Sequence, residues 1–158
     1  ACTITADSEE VRCKLEGGAA PSAARFEMLK EFRKTRAVIG VHVMPMVPLL
    51  TDTRENLEAL YASAVQIGAH YLLPGMLNLR GETRGAFLSF VQREFPQIYP
   101  QMMELFKTGR LDRDYKKTVY SLVCELQKKY GLGANYMAPM RRLIPPERPP
   151  EQLRFYTD

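Results

Sequence analysis

The sequence predicts an α/β fold of parallel strands with crossover helices. Three observations carry this: β-prone apolar segments at 2–5, 37–44 and 70–79, a helix-periodic stretch after each, and connections too long for hairpins. Strands joined in this way present ligands at their carboxyl ends. Thr5 to Asp7, Met44 to Asp52 and Leu77 to Arg80 gather there.

Each element has a local reason. Residues 2–5 form the first strand, and Pro21-Ser22 opens a helix in which Phe26, Leu29 and Phe32 or Arg33 recur at helical spacing. Ala37 to Met44 is a Val- and Ile-rich strand that Pro45 and Pro48 are expected to stop, since proline lacks an N–H. Thr51 or Asp52 caps the next helix, whose Leu57, Leu60, Tyr61, Ala64 and Val65 share a face until Gly68 ends it. His70 to Leu79 gives a third strand. Its Pro74-Gly75 implies an edge position, a bulge or early termination. A helix with Ala86, Phe87, Phe90 and Val91 on one side closes at Phe95-Pro96. A short helix over 97–107 and a longer one over 114–130, striped by Val119, Leu122, Val123 and Leu126, follow. The organisation is one domain over 1–135 and a Pro- and Arg-rich tail over 136–158, with no packed helix expected from Met137 onward.

The bulk numbers bound the function. With 46% hydrophobic and 25% charged residues over 158 positions, one ordinary globular domain has enough apolar side chains for a core. Net charge +4 would help an anionic partner approach, nucleic acid among them, but such a balance is common in proteins that bind none. Cys2, Cys13 and Cys124 match neither a disulfide framework nor a CxxC metal site, so a reducing, cytoplasmic home is the simplest reading. No apolar run approaches the roughly 18 to 20 residues of a membrane span, and a soluble protein is expected. The chain opens directly in a strand, which suggests that a folded part lies upstream.

Several stretches, taken in order, carry a family resemblance over roughly residues 3 to 130. Ile4-Thr5-Ala6-Asp7 is similar to a strand ending in Thr-Thr-x-Asp. Leu15-Glu16-Gly17 with Arg25 resembles a Leu-Glu-Pro stretch followed nine residues after its Glu by a helix-opening Arg. Gly40 through Asp52 resembles Gly-Val-x-Val-x-Pro-x-x-Pro-Gly-Leu-x-Asp. Asn78-Leu79-Arg80 with Phe87, and then Phe95-Pro96, resemble an Arg-Leu-Pro segment and a helix closing on Phe-Pro. These are patterns of the radical S-adenosylmethionine (SAM) enzymes, in the group around spore photoproduct lyase. Gly17 stands where that group has Pro, Leu49 where it has Gly, and Asn78 where it has Arg.

The resemblance implies half of a (β/α)6 partial TIM-type barrel, its strands four to six, plus extra C-terminal helices. It implies SAM as cofactor and a 4Fe–4S cluster bound by a missing upstream half. Three scattered cysteines cannot hold such a cluster, so this chain is expected to be inactive alone and to bind no metal. Implied SAM contacts are Thr5, Asp7, Arg25, Val43, Met44, Pro45 and Asn78.

Each of these residues also has a plain structural reading. Arg25 opposes the helix dipole, so it needs an anion, either Glu16 or the SAM carboxylate. Met44 to Val47 could offer an apolar surface to adenine or pack in the core. Thr5 and Asp7 could bind ribose hydroxyls, or Asp7 could cap the next segment. Asn78 could point at ligand or serve a turn. His42 either faces the barrel interior or is a buried His with a backbone partner, and two histidines without a Cys or Glu cluster make zinc improbable. Tyr115, Tyr120, Tyr130 and Tyr136 could stack or relay a radical, or pack between elements; Arg141, Arg142 and Arg148 could touch phosphates or remain solvated. No catalytic residue is singled out. Expected partners are the missing N-terminal half or a second copy through open sheet edges, and no membrane. The competing function is a non-catalytic half-barrel binding module that self-associates.

Overall fold

A computed structural model describes residues 1–142. It is a mixed α/β fold around a small parallel sheet in the order β1-β2-β3, formed by β1 (Cys2–Thr3), β2 (Gly40–Met46) and β3 (Tyr71–Met76). Helices α1 (Glu9–Glu16) and α2 (Ser22–Arg33) link β1 to β2, and α3 (Arg54–Gln66) links β2 to β3. After β3 come α4 (Glu82–Glu94), α5 (Tyr99–Leu105), α6 (Arg113–Tyr130) and α7 (Met137–Arg141). The tail beyond Arg142, including Arg148, lies outside the described residues.

The sheet buries one face. Side chains alternate along a strand, so Val41, Val43 and Leu72 point together into a core with Ile4, Phe26 and Leu29 of α2, Leu57, Leu60 and Tyr61 of α3, and Val119, Val123 and Leu126 of α6. Fully burying each such aliphatic side chain is worth about 1.5–3 kcal/mol. The opposite face carries Thr3, His42, Met44, Tyr71, Leu73 and Gly75. Tyr71 lies across Gly40, where an added Cβ would stand 2.1 Å from the ring, so only glycine fits. A second cluster forms beyond the strand ends from Val47, Leu79, Leu88, Val91, Phe95, Met102 and Phe106.

Several local expectations need correction. Between the first strand and the helix opened by Pro21-Ser22, where no element was expected, stands helix α1, capped by the Ser8 hydroxyl and pinned by buried Arg12, which donates to Glu9 and to the Ala19 carbonyl. Strand β2 does not stop at Pro45. It runs to Met46 across a register shift after Val43, and Leu77 N–H still bonds Met46 O at 2.9 Å. Thr53, not Thr51 or Asp52, caps α3. The far end of α3 closes as expected: Gly68 holds φ +71, with Gly68 N–H on Val65 O and Ala69 N–H on Ala64 O. Phe32, Val65 and Ala86 are exposed rather than inward, and Leu88 takes the inner position on α4. From Met137 a five-residue helix forms, with Pro139 in its first turn where no intrahelical N–H bond is due, but it buries none of its residues, so it is not a packed helix. Among the described residues no helix is long and apolar enough to cross a membrane.

Candidate functional site

The carboxyl ends of the parallel strands bring three loops to one rim. After β1, Thr5 is buried and its hydroxyl donates to Glu16 Oε1 at 2.6 Å. Arg25, in the first turn of α2, lies over the same carboxylate, with Nη2 2.5 Å from Glu16 Oε2. That pair is ionic but off the N–H direction, since Nη2 meets no aligned acceptor. Two other N–H groups of Arg25 donate to Thr3 O at 2.8 Å and Ala20 O at 2.7 Å. Glu16 is thus the anion that the position of Arg25 requires.

The loop after β2 is fixed by its own side chains. Thr51 is fully buried and its Oγ1 accepts from Val47 N–H at 2.8 Å. Asp52 is 4% exposed; Oδ1 accepts from Leu49 N–H, and Oδ2 accepts from the Tyr115 hydroxyl of α6, both at 2.8 Å. Burial raises the Asp52 pKa above the usual carboxylate value against the pull of these hydrogen bonds. The Tyr115 pKa is raised by burial and by the adjoining carboxylate.

Asn56, in the first turn of α3, ties the two loops together. Its Oδ1 accepts from Asp7 N–H at 2.7 Å, and its Nδ2 donates to Thr5 O at 3.0 Å and Thr51 O at 2.7 Å. A crevice of about 220 Å³ lies beside it, lined by Asp7, Ser8, Val11, Leu50, Thr53 and Glu55.

The implied ligand contacts separate into groups. Thr5 and Arg25 meet through Glu16, while Asp7 is exposed at the crevice and does not cap α1. The Val43 side chain is fully buried on the helix side, so it offers no apolar surface to a ligand on the other face. Met44 is half-buried on the uncovered face against Gly75, Pro45 is exposed, and so is Asn78. Met46 and Val47 are buried in the two cores.

His42 lies on the uncovered face, and its partner is a side chain, not the backbone: Nε2 stands 3.2 Å from Tyr71 Oη. Its pKa is lowered by burial, which favours the neutral ring. Tyr136 approaches Tyr71 at 6.1 Å between centroids, and Tyr130 stacks on Tyr61 at 5.9 Å. Among the described residues no group of three or more His, Cys, Asp and Glu is placed to hold a metal ion.

Asn56 was not singled out from the sequence, and Asp52 and Tyr115 were read there as a helix cap and as a stacking or packing tyrosine, not as partners of each other. Asn56 sits three residues into a capped helix, where a polar side chain gives no pattern signal. Asp52 and Tyr115 are 63 residues apart, and only packing brings them together.

No protein-family model matches the chain, and no solved structure matches it closely enough for comparison. Among curated proteins, Uncharacterized protein Rv2578c of Mycobacterium tuberculosis is 29% identical over 148 residues, 93% of this chain. Uncharacterized protein Mb2609c of Mycobacterium bovis matches to the same extent. The chain spans 42% of the length of these relatives.

Proposed function

We propose that this chain is the carboxyl-terminal portion of a radical SAM protein, resembling the spore photoproduct lyase group and forming half of a (β/α)6 partial barrel. The observation that carries the reading is the shared rim. Thr5, Glu16 and Arg25 after β1, and the two-proline loop after β2, are joined by Asn56 beside the sheet face that bears Met44 and lies, among the described residues, outside both core clusters. Parallel sheets use this end for ligands.

In this reading Arg25 orients the SAM carboxylate, Thr5 and Asp7 the ribose, Met44 and Pro45 receive the adenine, and Asn78 lines the third loop. Arg25 already serves Glu16, Thr3 and Ala20, so a ligand carboxylate must exchange with one of these. Cys2, Cys13 and Cys124 are free and dispersed, so the 4Fe–4S cluster that supplies the radical chemistry when bound belongs to another part of the protein. This chain's residues position and shield the ligand.

Iron and sulfide analysis of the complete gene product, with a SAM-cleavage assay, tests the reading. Cluster-dependent release of 5′-deoxyadenosine is expected, with SAM Kd raised about tenfold in Arg25→Ala, equivalent to about 1.4 kcal/mol. A complete product without a three-cysteine motif would remove it. The second reading, a non-catalytic half-barrel module that self-associates, is supported by the sheet face that lies, among the described residues, outside both core clusters, and in that case no SAM is cleaved.

A further inference from the structure

At the end of the sheet opposite the rim, a cavity of about 320 Å³ is walled by His70, Gly133, Asn135, Ala138, Pro139 and Arg142. His70 immediately precedes β3, Asn135 lies between α6 and α7, and Arg142 follows α7, so three separate segments meet there. Among the described residues no Asp or Glu lines this cavity, and Ala138 and Pro139 supply its apolar part.

The side-chain acceptors of this wall are spent on the fold. The N–H of buried Ile39 donates to His70 Nδ1 at 3.1 Å. Ile39 O, 3.3 Å from the same nitrogen, already accepts from the His70 backbone N–H at 2.9 Å. Nδ1 therefore carries no proton, and the ring N–H is at Nε2, on the side away from Ile39. Asn135 Oδ1 accepts from Met137 N–H and Ala138 N–H, both at 3.1 Å, which leaves the NH2 of its carboxamide. Gly133 O is likewise taken, by Leu72 N–H at 3.0 Å. Arg142 has donors only. What remains for the cavity is an imidazole N–H, a carboxamide NH2 and a guanidinium.

We propose that this cavity binds the phosphoryl group of a small phosphate ester. Donors that face no carboxylate favour an anion, and hydrogen bonds to a charged acceptor are about twice as strong as neutral ones. Donors arriving from three segments suit the oxygens of a tetrahedral phosphoryl group better than the two coplanar oxygens of a carboxylate, which a guanidinium fork satisfies alone. The volume stands at the lower end of the roughly 300–1,000 Å³ of small-molecule sites, so the organic remainder of the ester is small. The cavity lies at the far end of the strands from the SAM rim, and its ligand is independent of that reading.

The experiment is calorimetric titration of the full chain with inorganic phosphate, glycerol phosphate and acetate at constant ionic strength, with the Asn135 carboxamide of the native chain followed by NMR. Saturable one-site binding of both phosphates is expected, with acetate about tenfold weaker. Asn135→Asp retains Oδ1 for the start of α7 but turns a negative oxygen toward the ligand, and phosphate binding should be lost. His70→Asn retains an acceptor for Ile39 N–H without the Nε2 donor, and Arg142→Gln removes the charge; each should raise the phosphate Kd about tenfold. Lys117→Gln, an equal loss of charge on the exposed side of α6, should leave the Kd within about twofold of the native value. If Asn135→Asp changes the fold by circular dichroism, Arg142→Gln, at an exposed position, carries the test. No saturable phosphate binding by the full chain, equal affinity for acetate, a Kd that His70→Asn and Arg142→Gln leave unchanged, or a loss as large in Lys117→Gln would each overturn the proposal.

Discussion

Leu49 adopts φ +64, a conformation that costs a residue bearing a Cβ about 1–2 kcal/mol. The strain is held by Asp52 and Tyr115, which both stand within hydrogen-bonding distance of the Leu49 N–H. Leu49→Gly should relieve it, less about 0.4–1 kcal/mol of added freedom in the unfolded chain. Stability is therefore expected to stay equal or to rise by up to about 1 kcal/mol in urea unfolding, and a loss larger than that would refute the account. Asp52 ionises with more difficulty in the fold than in the unfolded chain. Its stabilising contribution is complete below the ordinary value of 3.8 and is lost as pH rises through the raised folded value. Asp52→Asn, measured against the native chain at pH 3.5 and pH 7, should gain ground at the higher pH. Tyr61 presents a simpler case. Its hydroxyl is buried without a hydrogen-bond partner among the described residues, and burial pushes its pKa up to about 12. Gln127 is close enough to lower that value but forms no aligned bond. Tyr61→Phe should be at least as stable as the native chain, since removing an unsatisfied polar group restores about 1 kcal/mol.

At the scale of elements, Asn56 makes α3 a clasp between the loops after β1 and β2. Asn56→Ala removes three hydrogen bonds and is expected to cost about 2–3 kcal/mol, with faster amide exchange at Asp7. A variant that loses less than about 1 kcal/mol would mean that the loops hold themselves. Helix α6 braces the other side: Tyr115 at its start reaches the β2 loop, and Gly133 just after it reaches β3. Arg54–Glu125 and Lys129–Glu58 join α6 to α3. These pairs are about a third to a half exposed and add little; Val119, Val123 and Leu126 supply the attachment. This stripe was legible as a helical repeat, as were Leu57, Leu60, Tyr61 and Ala64. Helix α1 was not, because its inward residue is an arginine, which an apolar pattern does not reveal.

For the whole molecule, the order β1-β2-β3 makes β2, among the described residues, the strand paired on both sides. Amides of Val41 and Val43 should therefore exchange among the slowest in the chain, and those of β1 much faster; equal rates would contradict the sheet order. Strand existence, strand direction and the crossing helices followed from apolar periodicity and connection length, which are properties of neighbouring residues. The rim position of Thr5 and the two-proline loop followed as well, because parallel strands must place their ends together. Tertiary structure alone decided which side chains at that rim are free. It committed Arg25 to Glu16 and Thr3, sank Val43 into the helix-side core, and set Asn56 and Tyr115 as the ties. Those outcomes depend on hydrogen bonds between residues 11 to 63 positions apart, a separation at which the spacing of residue types carries no signal and only packing selects the partner.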